Sequence, residues 1–227
     1  MGARALSAGC IGVLPATPRL AIRATGPVHW MAAPATSASR HPLTFSKSRS
    51  NMPTRDDIAL LATYNAAMNS RLYQAAASLP AAALNADRGA FFGSVIGTLN
   101  HLVAGDTIWL RRFMGHPANF SSLKAMDGIP APAGLAHIHS AELGVLREHR
   151  MRLDAIIEAL AAEVADGDLA QPLAYRNARG DCRKPFGSLL LHFFNHQTHH
   201  RGQATTLLSQ AGVDVGVTDL LEWIAQD

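Results

Sequence analysis

From position 54 onward, apolar residues recur at helical spacing in four long stretches separated by proline and glycine. In the first, about 54–78, Ile58, Leu61, Ala62, Asn65, Met68, Leu72 and Ala75 follow a period close to 3.6 until Pro80 stops the helix. Thr54 and Asp57 stand three apart at its start, the spacing of a capping box. A second segment, about 92–113, ends at Gly115, and a third, about 138–165, runs through Leu143, Leu146, Leu153, Ile156, Ile157 and Leu160 to Gly167. The fourth, about 186–211, follows Pro185 and ends at Gly212, a residue type suited to a helix C′ position. Between the third and fourth, Leu173 to Arg183 contains Tyr175 and the pair Gly180-Asp181 and reads as a small hairpin. Thr218 reads as the cap of a short terminal helix containing Leu220, Leu221 and Trp223. Four amphipathic helices in this length predict an all-α helix bundle with a short C-terminal helix.

Residues 1–51 break the pattern. They are rich in Ala, Ser, Pro and Arg, hold no lasting period, and carry Pro15, Pro18, Pro27, Pro34 and Pro42. We expect this stretch not to fold and read it as an extension upstream of a start at Met52, in preference to an organelle transit peptide. A lipoprotein signal around Leu6–Cys10 fails, because the leucine stands one place too far from the cysteine and almost no apolar segment precedes it. The domain is expected to occupy 52–227.

Composition then narrows the class. With 48% apolar and 16% charged residues the chain can bury a core. No apolar run approaches the roughly 18 residues needed to span a bilayer, so no membrane association is expected and the protein is read as cytoplasmic. The formal charge of +3 suggests nucleic acid until its distribution is seen. Six of the twenty basic residues fall in 1–51, which has no acid; that leaves fourteen against seventeen acids, a net of −3, for the body. A nucleic-acid partner is therefore not expected. Cys10 and Cys182 are too few for a disulfide framework or a thiolate zinc site.

The histidines carry the candidate chemistry. In the fourth helix, His196 and His200 are four apart, separated by about 40° in azimuth and about 6 Å in height, so both imidazoles can reach one ion. His192 continues the stripe about 12 Å from His200, too far for both to ligate one metal, and is the substitute candidate; His199 lies about 80° off the bisector of the pair and points away. A third donor must come from another helix, and His101 is available in the otherwise apolar second helix. Gly97 and Gly105, at i−4 and i+4 from it, leave either close helix contact or room for a ligand.

Here the sequence resembles the DinB/YfiT-like metal-binding four-helix bundles. The matching stretches are Leu99-Asn-His101-Leu-Val-Ala-Gly-Asp106-Thr-Ile-Trp109-Leu-Arg-Arg112-Phe and Leu191-His-Phe-Phe-Asn195-His196-Gln-Thr-His-His200-Arg201-Gly202-Gln203, followed by Gly212. The resemblance covers about 52–227. It implies an up-down-down-up bundle, commonly homodimeric, and a divalent metal held by His101, His196 and His200. It also implies a low-molecular-weight thiol as a co-substrate of the characterised transferases and isomerases among its members.

Three neutral imidazoles leave a divalent ion its full charge and at least one open position, a catalytic type of site. Zinc and nickel suit imidazole best, with iron or manganese if waters complete an octahedron. The expected function is a metal-dependent enzyme of the thiol-dependent transferase type, or a hydrolase, acting on a small molecule; the alternative is a non-catalytic dimeric metal-binding or stress-response protein. Gln203 orients a ligand or is a surface amide. Arg201 binds an anionic substrate carboxylate or sits exposed or in an interhelical ion pair. Trp109 lines the pocket or fills core, Asp106 accepts from a ligand histidine or is solvated, and Cys182 has no expected catalytic role.

Overall fold

The computed structural model describes residues 52–226; the leader expectation falls outside them. Helix α1 (Arg55–Ala76) opens on the expected capping box, in which Thr54 Oγ1 accepts from the Asp57 amide and the Thr54 amide donates to Asp57 Oδ2 at 2.8 Å. That backbone bond from Thr54 holds the Asp57 carboxyl below its ordinary value. Past Pro80 a single turn, α2 (Ala81–Asn85), leads to α3 (Val95–Phe113). This helix begins three residues later than its apolar pattern suggests, because Ser94 caps it by accepting from the Gly97 amide. Gly97 is required there: a Cβ would run into the Phe92 carbonyl.

After a 3-10 segment at Ser121–Gly128 comes α4 (Leu143–Glu163), which starts five residues beyond the expected position. Asn100 accounts for the difference. Its side-chain oxygen accepts from the His139 and Ser140 amides, which holds those residues in an extended loop against α3. A further turn, α5 (Asp166–Leu169), precedes β1 (Pro172–Asn177) and β2 (Gly180–Pro185), an antiparallel hairpin with Tyr175 opposite Cys182. Gly180, with φ +112°, supplies the left-handed backbone that closes it.

Helix α6 (Phe186–Gln210) ends in a Schellman arrangement, with Gly212 at φ +80° and the Val213 amide donating to the Leu208 carbonyl. The terminal helix expected at Thr218 is instead one 3-10 turn, Leu220–Trp223, preceded by Asp219. Thr218 serves differently: its carbonyl accepts from the Tyr64 hydroxyl at 2.6 Å.

The described residues are thus mostly helical with one small two-stranded sheet. Helix α1 packs on α4 and α6, and α3 packs on the same two. Contacts at the ends place the helices relative to one another. Pro53, before α1, lies on Gly187 at the start of α6, and Arg71, near the end of α1, donates to the Val217 carbonyl beyond α6. The Arg55 amide donates to Asp166, just past α4. Phe113, closing α3, packs edge-on against Phe186, which opens α6. Glu163, ending α4, accepts from the Ser121 and Ser122 amides beyond α3. Between the helices lie Leu72, Leu99, Leu102, Leu153 and Phe193, all nearly inaccessible. Among the described residues no helix is long and apolar enough to cross a membrane.

Candidate metal centre

The middle of α3 and the middle of α6 face each other where His101, His196 and His200 meet. His101 Nε2 lies 3.3 Å from His196 Nε2 and 3.1 Å from His200 Nε2. One nitrogen from each ring falls within 4.8 Å of the others, and no further His, Cys, Asp or Glu among the described residues joins the group. Gly105, one turn past His101, makes this approach feasible: a Cβ there would stand 3.0 Å from His196 Cε1.

The outward nitrogens determine the inward ones. His101 Nδ1 donates to the Leu135 carbonyl at 2.9 Å, and a carbonyl can only accept, so the proton sits on Nδ1 and Nε2 bears a lone pair. His200 Nδ1 donates in the same way to Gln203 Oε1 at 2.8 Å. Gln203 is in turn held through its amide nitrogen by the exposed His199. Two lone pairs therefore face each other across 3.1 Å, an unfavourable arrangement unless a positive charge lies between them. A proton is disfavoured. Burial pulls His101 down to about 4 and His196 to about 3, in the latter case reinforced by the neighbouring imidazoles, and burial also lowers His200. Donors about 2.1 Å from a common ion stand roughly 3.0–3.4 Å apart at octahedral or tetrahedral angles. The donor set and its spacing are compatible with a divalent metal.

Phe92 was not singled out by sequence, yet it stacks on the His101 ring at 3.8 Å between centroids and meets His200 edge-on. Its signal was its setting between Gly89 and Gly93, both at positive φ, which mark a tight turn. Leu135 contributes only a main-chain oxygen and left no signal. His192 stays outside the group; it is exposed and packs on Trp109, which is 9% accessible and also carries the Arg112 guanidinium over its ring. Cys182 is half-buried on β2 beside the Asn177 amide.

Two expectations are corrected. Asp106 neither accepts from a ligand histidine nor meets solvent; it is wholly buried and pairs with Arg150 of α4, whose other nitrogen lies 3.0 Å from Asp154. Arg201 is neither exposed nor in an ion pair among the described residues. It is 6% accessible, donating to the neutral oxygens of Asn65 and Thr198.

A second histidine group, His137, His139 and His149, lies where the loop before α4 meets that helix, with ring centroids 4.6 and 4.7 Å apart in sequence. Burial, followed by His149 and His137, lowers His139 to about 4. The native value is below the usual 6.5, so the unfolded chain takes up the proton first as pH falls. Stability contributed by neutral His139 is therefore present above about 6.5 and lost between there and about 4. Metal-free wild type should lose more stability between pH 7 and pH 4.5 than a His139→Gln variant, read as urea midpoints. Burial acts in the opposite sense on Asp106, raising it to about 6, a contribution that cancels in the comparison.

The uncharacterized protein YrdA of Bacillus subtilis (strain 168) is 37% identical to this chain over 62 residues, 27% of this chain and 35% of that protein. The chain thus matches only about a third of that relative's length. No solved structure matches. The model of the DinB family matches residues 51–227, which takes in both histidine-bearing helices and every described element, and the chain belongs to the DinB family.

Proposed function

We propose that His101, His196 and His200 hold a divalent metal ion and that the protein is a metal-dependent enzyme of the thiol-dependent transferase type. The carrying observation is the pair of histidine lone pairs turned toward each other across 3.1 Å, with both outward nitrogens committed to acceptors. Zinc or nickel suits the all-imidazole donor set best, with iron or manganese accommodated by added waters. Such an ion, once bound, lowers the pKa of a water or thiol in its open position.

The chain's own residues supply the rest. The Leu135 carbonyl and the Gln203 amide fix ring orientation and tautomer, the kind of support that metal-ligating histidines rely on. Phe92 covers the face of His101 and keeps water from that side. That no fourth protein donor joins the trio among the described residues supports chemistry over the alternative of a purely structural or stress-response metal protein. A homodimer, a cytoplasmic location and a domain spanning 52–227 complete the reading. The end-to-end contacts of α1, α3, α4 and α6 support the up-down-down-up bundle that the family resemblance implies.

The test is a screen of metal-loaded protein with glutathione and related thiols against a panel of electrophiles, with His200→Ala as control. Thiol-dependent turnover in the wild type alone, with a thiol-induced change in the spectrum of the cobalt-substituted protein, is the expected outcome. Equal rates in both proteins, or an unperturbed cobalt spectrum, would defeat the transferase reading in favour of a non-catalytic metal protein.

A further inference from the structure

The face of α6 turned away from the trio borders a cavity of about 180 Å³ between α1, α6 and the segment after Gly212. One side is apolar, formed by Met68, Leu72 and Val215, all buried. The other carries Arg201, Thr198 and Thr205. We propose that this cavity binds a small aliphatic carboxylate, with the Arg201 guanidinium receiving its anionic end and the apolar wall its hydrocarbon chain.

The argument starts from charge. A guanidinium withdrawn from water is normally paired with an anion, since neutral acceptors recover only part of its lost hydration. The two buried arginines of this fold differ in that respect. Arg150, 2% accessible, has both Asp106 and Asp154. Arg201, 6% accessible, has an amide oxygen, a hydroxyl and the face of Tyr64. A path to a carboxylate runs through Asn65, whose amide nitrogen donates to Asp154 at 3.3 Å, yet Asp154 already serves Arg150 and Asn69. The charge of Asp106 reaches Arg201 through space, yet among the described residues no carboxylate bonds to Arg201 or forms an ion pair with it.

The cavity adds a second, independent constraint. Cavities of about 150 Å³ accept a benzene-sized ligand, so this one takes roughly six to eight heavy atoms. Water alone could satisfy the guanidinium but would leave Met68, Leu72 and Val215 facing solvent. An aliphatic acid of four to six carbons covers both ends at once. The site is separate from the trio and does not depend on the function proposed for it.

Hexanoate and inorganic phosphate, each at constant ionic strength, are the probes for the metal-loaded full-length protein, by calorimetry and by melting temperature. Hexanoate should bind saturably at one site and raise the melting temperature, whereas phosphate and matched chloride should not. Gly202→Leu is the informative variant. A Cβ at Gly202 meets nothing within 4 Å, so the side chain can enter the cavity it lines without breaking the helix. Hexanoate affinity should fall at least tenfold in Gly202→Leu and in Arg201→Met, and persist in His200→Ala, where the trio is incomplete. Absence of saturable binding, unchanged affinity in Gly202→Leu, or phosphate binding in place of hexanoate would overturn the proposal. Loss of hexanoate binding in His200→Ala would assign the ligand to the trio and overturn it equally.

Discussion

Alanine at position 196 should leave the protein folded and unable to retain one equivalent of metal through dialysis, while alanine at position 199 should leave metal content unchanged. The two residues lie three apart on one helix, so composition and net charge change identically; only geometry separates them. His196 turns Nε2 toward His101 at 3.3 Å, with Gly105 clearing the space its ring occupies. His199 is exposed; it accepts from the Gln203 amide nitrogen and meets the His200 ring edge-on at 4.8 Å between centroids, but turns no nitrogen into the group. Outer partners of ligating histidines are typically worth 10–100-fold in metal affinity, so loss of a direct donor should exceed about 100-fold. Gln203→Leu should fall between, because it frees His200 Nδ1 without removing a donor. Cobalt titration of the four proteins would rank them. Full occupancy in His196→Ala would show that the ion, if bound, rests on another set.

The pairing of His196 with His200 on one side of α6 was legible because a helix turns a sequence interval into an angle, and an interval of four puts two rings on one side. His101 was legible as a polar ring in an apolar helix between two glycines, although the reason for Gly105 is clearance for a ring on the opposite helix. The boundaries read best were those written in local chemistry: Thr54 with Asp57 at the start of α1, and Gly212 after α6. Of those that moved, the start of α3 answers to a local cap at Ser94, whereas the start of α4 depends on a distant partner. The residues before α4 follow the helical pattern and are held out of the helix by Asn100, forty positions earlier. Leu135 acts through a main-chain oxygen, a group every residue has, so its identity carried no information about its role. The same holds for Asp106. Its position near His101 suggested service to the metal, but an aspartate also answers an arginine on a neighbouring helix, and the register that brings Arg150 to it is set by the packing of α3 on α4.

That pairing sets up the largest expected loss of stability. Arg150→Met keeps an unbranched side chain of similar reach and removes the cation between Asp106 and Asp154, one carboxylate wholly buried and the other nearly so. Removing one member of a buried ion pair costs about 3–5 kcal/mol, because the remaining charge has neither water nor partner. A urea midpoint well below wild type at neutral pH is expected. Lost packing alone would also lower it, and pH separates the two causes. With Arg150 present, its positive charge opposes the upward push of burial on both carboxyls. Without it, their folded-state values rise further above the ordinary 3.8 of an unfolded aspartate, so the folded variant takes up protons that the unfolded chain does not. Stability of Arg150→Met relative to wild type should then recover as pH falls from 8 toward 5, whereas a packing defect would be indifferent to pH. Replacing both aspartates by leucine in the Arg150→Met background should likewise restore much of the loss at every pH, since a buried ion cluster can be exchanged for apolar side chains at little cost. A triple variant no more stable than the single one would mean that the charges set the register of α3 on α4 and are needed for the fold itself.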